Sequence, residues 1–271
     1  MQDVEGALAR AFARRGTSRE SSATPPAPHF LVEPGPERAV SRPGPAPSDG
    51  AGPTFSTGPE GRPTVLEWPA TVRALERDHG ERFRRLADSL AAIRAERGTK
   101  VLLFTSCHRA EGRTTLVLTL ARALGRHPGR TLVVDADLSG PMLARQLGFR
   151  PRFGLDDVIE DGRPLADAIV DAPDDHIALL PLRAPVANPR EFLARPAWAC
   201  AMAKLRREYD LILVDGSPLF AGLSAATLHS SVDAAILVHH RALTGERALL
   251  RAREVLEAGG VPLLGLAETF V

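Results

Sequence analysis

The chain is poor in sulfur and in tyrosine: its 271 residues include two cysteines, Cys107 and Cys200, and one tyrosine, Tyr209. Two cysteines make neither a disulfide framework nor a metal cluster, so a reducing cytoplasm is the expected setting. No apolar run approaches the ~20 residues that span a bilayer, and the N-terminus lacks the apolar centre of a secretion signal. The chain is therefore expected to be cytoplasmic, reaching the inner face of a membrane only through a partner. Neither sign of charge dominates, with 34 Lys+Arg against 33 Asp+Glu. That balance argues against a basic nucleic-acid-binding domain, and no nucleic acid partner is expected. His239 and His240 have no cysteines or carboxylates near them at metal-ligand spacing, which excludes a zinc-type site.

With 44% hydrophobic and 25% charged residues, the chain can bury one sizeable core with an appendage. Residues 21–63 hold 11 of the 23 prolines together with many Gly and Ser, a composition too polar to offset chain entropy by burial. Residues 16–63 therefore read as a disordered linker. Ahead of them, Met1–Arg15 places Val4, Leu8 and Phe12 on one helical face, either a docking or membrane-surface peptide or a frayed terminal helix. Residues 64–271 form the folded domain, with a helical lead-in over 70–97 carried by Val72, Leu75, Phe83, Leu86, Leu90 and Ile93. The pattern breaks around His79-Gly80, predicting one broken helix or two short ones.

From residue 100 onward, short apolar runs alternate with helical patterns, as in a mostly parallel α/β sheet covered on both faces. Strands are expected at 101–105, 131–135, 177–181, 211–215, 234–239 and 262–266. Helices are expected at 114–124, 141–147, 165–170, 197–208, 223–229 and 246–258. In such sheets ligands sit beyond the carboxyl ends of the strands, which gathers Cys107–Thr115, Asp135 and Asp215 at one edge.

The segment VLLFTSCHRAEGRTT, residues 101–115, is a strand running through a tight loop into a helix. Such a turn aims unpaired N–H groups and the positive end of the helix dipole at one point, where a phosphate can sit. Gly112 permits close backbone approach, and Thr114 or Thr115 offers a hydroxyl to Mg²⁺. Arg113 stands where the P-loop formula has lysine, with Cys107 in place of the first glycine. Its planar fork keeps the charge and changes its geometry, so binding can survive where catalysis fails. The alternative is an ordinary strand-to-helix turn containing a glycine. Two strand-terminal acids weigh against it: TLVVDADL ends a strand in Asp135, with Asp137 two residues on, and LILVDGSP ends another in Asp215. Carboxylates delivered beside a phosphate loop can hold Mg²⁺ or accept a proton from an attacking hydroxyl. Either one alone often merely caps a turn.

These motifs, in this order, resemble the bacterial tyrosine kinases of capsule and exopolysaccharide biosynthesis, which belong to the MinD/ParA-like class of P-loop ATPases. The matching residues are Glu81, Phe83, Arg84 and Leu86, then Thr105, Ser106, Glu111, Gly112, Thr114 and Thr115. They continue through Asp135, Ala136, Asp137, Leu138 and Pro141, through GLDDVI and NPREFL, and through YDLILVDGSP, covering roughly residues 76–271. The resemblance implies a Mg-ATP site with Glu111, Gly112, Arg113, Thr114 and Thr115 around the phosphates. It implies Thr114, Asp137 and Asp215 at the metal, and Asp135 beside the attacking group, with Arg113 as its catalytic cation. Glu81 and Arg84 would join subunits of a homo-oligomer, unless they form only an exposed helical ion pair.

Departures from the family pattern qualify that expectation. Besides Arg113, the Pro-Gly of the loop is Arg109-Ala110, the arginine after Leu138 is Ser139, and the first proline after Asp215 is Ser217. Thr269 stands where relatives have an adenine-recognising asparagine. With Tyr209 alone, and the sequence stopping at Val271, autophosphorylation on a tyrosine cluster is not expected. The leading expectation is an ATP-binding regulator of polysaccharide polymerisation or export, with weak or lost kinase activity, acting through a separate membrane-anchored co-polymerase subunit. The alternatives are a positioning ATPase of the MinD/ParA type and a non-catalytic scaffold.

Overall fold

The computed structural model describes residues 66–221 and 231–269, together with the backbone of 29–31. An eight-stranded sheet runs through it in the order β1-β8-β7-β2-β6-β3-β5-β4. The strands are β1 (His29–Leu31), β2 (Val101–Ser106), β3 (Thr131–Ala136), β4 (Val170–Ala172), β5 (Ile177–Leu180), β6 (Leu211–Gly216), β7 (Ala234–His240) and β8 (Leu263–Thr269). All pairings are parallel except that of β4 with β5. The helices are α1 (Ala70–Arg97), α2 (Arg113–Leu124), α3 (Leu143–Gln146), α4 (Leu155–Glu160), α5 (Leu165–Ala168), α6 (Pro189–Ala194), α7 (Pro196–Glu208) and α8 (Glu246–Ala258).

The central strands β2, β3 and β6 are buried along their whole length, as their continuous apolar runs require. Along β2 the side chains divide by parity: Val101 and Leu103 join one core cluster, Leu102 and Phe104 the other. That alternation is a sheet with a hydrophobic layer on each face, and the expected α/β class with its six main strands is what the molecule adopts. Helix α1 is broken where the pattern breaks, with non-helical backbone at His79 (φ −131°, ψ 16°), and Gly98 closes it at φ 70°. It buries Val72, Phe83, Leu86, Leu90 and Ile93 and packs on α2.

Several elements differ from the sequence reading. Inside the stretch read as linker, His29–Leu31 pair in parallel with Leu266–Glu268 of β8, because an apolar triplet can complete an open sheet edge. The rest of that stretch, the amphipathic N-terminal peptide and the helix expected at 223–229 lie outside the described residues. Helices α4 and α6 escaped the periodicity because each is only 6 residues long. Both coincide with motifs: Gly154 N–H donates to Asp157 at the start of α4, and the Asn188 side chain accepts from Glu191 N–H at the start of α6. Glu81 and Arg84 form an exposed i,i+3 ion pair at 2.5 Å. Among the described residues no helix is long and apolar enough to cross a membrane.

Candidate functional site

Strand β2 lies between β6 and β7, so the loop that follows it emerges at the carboxyl edge of the sheet. Across that edge Asp135 of β3 is the register partner of Asp215 on β6, and Asp215 in turn pairs with Phe104 on β2. The loop enters α2 through Gly112, whose φ of 79° is open to glycine without strain. Ala110 also has a positive φ, 63°, in the position where the family motif has glycine. A cavity of about 340 Å³ opens at the start of α2, lined by Arg109–Thr115, Asp137, Met142 and Gln146.

Arg113 does not extend into open space. Its Nε donates to Asp215 Oδ1 at 2.8 Å, its Nη2 to Asp137 Oδ2 at 2.8 Å and its Nη1 to Ser106 Oγ at 2.8 Å. Thr114 Oγ1 donates to the other oxygen of Asp215 at 2.6 Å. Asp137 Oδ1 accepts from Ser217 Oγ at 3.1 Å and from Ser139 Oγ at 3.3 Å. Arg109, which replaces the proline of the family motif, reaches Asp137 Oδ2 at 3.3 Å and Ser139 Oγ at 2.8 Å. Every oxygen of the two carboxylates thus accepts a hydrogen bond from a cation or a hydroxyl.

The three residues expected at a metal, Thr114, Asp137 and Asp215, do converge, but they do not fit a Mg²⁺ ion. Such an ion demands near-octahedral oxygen ligands at about 2.0–2.1 Å. Here the guanidinium bridges the two carboxylates that the ion would share. No cluster of three or more metal-ligating side chains occurs among the described residues.

Asp135 takes a different part from the one expected beside an attacking group. It is wholly buried, lies outside the cavity lining, and accepts from the backbone N–H groups of Asp137 (3.2 Å), Met142 (3.1 Å) and Leu143 (2.9 Å). Its physical role is to hold the turn between β3 and α3. Burial, with the charge of Asp215 alongside, pushes its carboxyl above the usual range, against the pull of those amides. Burial also raises Asp215, while the Arg113 guanidinium and the Thr114 hydroxyl draw it back.

Glu111 is also structural at its carboxylate, which is buried and accepts from His108 N–H at 2.7 Å and from the Thr244 hydroxyl. Its backbone carbonyl accepts from Thr269 Oγ1 at 2.8 Å. Thr269, a departure from the asparagine of the family pattern, thereby ties the end of β8 to the loop. Thr115 lines the cavity near the helix N-terminus, with Gly112 beside it. Sequence reasoning did not single out Arg109, Ser106 or Ser217 as site residues. The substitutions of the family motif at 109 and 217 were the available signal, since both new side chains hydrogen-bond Asp137. Tyr209 is buried with Arg130 stacked 4.6 Å over its ring, so it presents no accessible phosphoacceptor.

No family model matches the chain. Individual proteins do: tyrosine-protein kinase CpsD of Streptococcus pneumoniae is 26% identical over 168 residues, 62% of this chain and 74% of CpsD. YwqD of Bacillus subtilis, another tyrosine-protein kinase, is 24% identical over 188 residues, 69% of this chain and 79% of its own length. Among solved structures, the VpsO kinase domain superposes with a TM-score of 0.63 at 25% identity, covering 72% of this chain and 98% of that domain. MinD of Pyrococcus horikoshii in complex with Mg-ADP gives 0.51 at 27% identity, covering 62% of this chain and 69% of MinD. The homologues of this chain are bacterial tyrosine kinases, and its sheet and loop are those of the P-loop α/β fold that also includes MinD-like ATPases.

Proposed function

We propose that the chain binds ATP or ADP in the cavity at the start of α2 and serves as a regulatory relative of the capsule and exopolysaccharide tyrosine kinases, with phosphoryl transfer weak or lost. The observation that carries this is the loop itself: a buried strand, a glycine in left-handed conformation and a 12-residue helix open together onto one cavity. The first-turn N–H groups of α2 and its dipole favour the phosphate chain. Gly112 lets the phosphates approach the backbone, and Thr115 offers a hydroxyl. Phosphoryl transfer depends on positioned cations at the transferring group. Arg113 is engaged with Asp137, Asp215 and Ser106, which supports slow turnover. A co-polymerase subunit anchored in the membrane is the proposed partner, supported by the resemblance to kinases of that system.

Isothermal titration of the full chain with ATP and ADP tests the reading. A Kd in the micromolar to low millimolar range is expected, and no binding at millimolar nucleotide would remove it. A second reading, a scaffold with no nucleotide, draws support from the same self-satisfied network around Arg113. It predicts the same absence of heat together with an unchanged interaction with the membrane partner.

A further inference from the structure

We propose that this site takes its polyphosphate without a divalent metal, because the Arg113 guanidinium already holds the place where the ion would join Asp137 to Asp215. The polyphosphate half of the proposal rests on the nucleotide reading above. The metal half stands on this chain's own geometry.

In the lysine version of the loop, one ammonium is a compact point charge at the end of a flexible stem, free to face a phosphate. Two strand-end carboxylates are then left to share a cation. Arginine cannot reproduce that division. Its three nitrogens reach three different partners, Asp215, Asp137 and Ser106, each at 2.8 Å, and the fork is rigid. The Arg113 side chain is 9% exposed and the two acids 4% and 1%, so the ion pairs are shielded from water and from screening. Thr114, the third expected metal ligand, turns its hydroxyl proton onto Asp215.

Charge gives the same result. The carboxylates of Asp137 and Asp215 are already paired with two guanidinium groups, those of Arg113 and of Arg109, whose Nη1 lies 3.3 Å from Asp137. A divalent ion placed among them would meet a buried guanidinium and no oxygen of either acid free of a donor. Desolvating an ion and opposing like charges in such a place is unfavourable. A nucleotide bound here therefore meets a cluster of mutually paired acids and arginines on one side, and on the other the amide groups of the loop and first helical turn. The backbone supplies the attraction that metal and lysine supply in the family motif.

The full chain is titrated with Mn²⁺ alone, followed by electron paramagnetic resonance, and with a fluorescent ATP analogue in EDTA and in excess Mg²⁺. The wild type is expected to leave Mn²⁺ free and to bind the analogue equally, within about threefold, in both buffers. Arg113→Lys is expected to bind Mn²⁺ and to gain at least about tenfold in nucleotide affinity from Mg²⁺, a gain abolished by adding Asp215→Asn. Arg113→Gln, without the charge, serves as the second variant, and circular dichroism with a melting curve establishes that each is folded. Wild-type binding of Mn²⁺ that Asp215→Asn removes, or a tenfold Mg²⁺ gain in the wild type, overturns the proposal. So does the failure of both Arg113 variants to bind Mn²⁺ better than the wild type. Absence of nucleotide binding in both buffers sinks the nucleotide reading instead, and the Mn²⁺ comparison still decides the metal.

Discussion

The guanidinium Nε of Arg113 donates to Asp215 Oδ1 at 2.8 Å, so the residue that replaces the lysine of the loop is bound to the acid that ends β6. One side chain therefore engages two carboxylates, those of Asp215 and Asp137. Replacing it should separate stability from activity. Arg113→Ala leaves the buried Asp215 without its guanidinium and Asp137 with Arg109 alone, and should cost about 3–5 kcal/mol in a urea titration. Arg113→Lys keeps a charge and should cost less, while raising ATP turnover in Mg²⁺ by about tenfold as the ammonium faces the phosphates. Unchanged turnover in a folded Arg113→Lys protein would favour the scaffold reading.

Ala110 has φ of 63°, a conformation that costs an L-residue about 1 kcal/mol and glycine little. Ala110→Gly should therefore raise stability by up to about 1 kcal/mol, offset in part by the freedom glycine has when unfolded. The urea midpoint measures it. A fall in the midpoint would mean that the Ala110 methyl packs more favourably than its backbone is strained.

Cys107 sits in the loop where a helix N-terminus can lower a thiol pKa, yet it is fully buried, and burial reinforced by Glu111 pushes it up from 9.0 to about 12. Iodoacetamide should modify the exposed Cys200 and spare Cys107 until the protein unfolds. The raised value belongs to the folded state, so the unfolded chain loses this proton first. The thiol's contribution to stability is complete below pH 9.0 and is lost as pH rises towards about 12. Its share of the slope is about 1.4 kcal/mol per pH unit. Cys107→Ala should flatten the stability profile above pH 9.0 by that amount. Equal slopes in the two proteins would show that the thiol ionises without unfolding.

The Glu111 carboxylate accepts from His108 N–H within the phosphate loop and from the Thr244 hydroxyl in the turn that follows β7. Glu111→Ala leaves a buried amide and a hydroxyl without their acceptor, which should cost about 2–3 kcal/mol. Nucleotide affinity should fall with it, because the loop amides lose their fixed aim. Full affinity in a destabilised Glu111→Ala protein would show that the loop holds its shape by other means.

Much of the fold was legible because its signals are local. Apolar runs too short for helices marked β2, β3, β5, β6, β7 and β8, each within a few residues of its observed bounds. Helices α4 and α6 were not read, and the helix expected at 165–170 ends at Ala168, with Val170 opening the unread strand β4, since so few residues carry a weak period. Strand β1 was not read because its ordering comes from the edge of β8, more than two hundred residues away in the chain.

For the site, the chain alone determined which residues reach one edge of the sheet: a strand-terminal aspartate is delivered wherever its strand ends, and a glycine before a helix bends where it stands. Tertiary structure decided what those residues hold. Register sets Asp135 beside Asp215, and α2 swings Arg113 between Asp215 and Asp137. The turn before α3 brings backbone amides onto Asp135, and the ends of β7 and β8 meet Glu111. A side chain takes the partners that burial leaves it, and those partners come from strands far apart in sequence. That is why a missing lysine could be read from one position, and the fate of the charge replacing it only from the folded molecule.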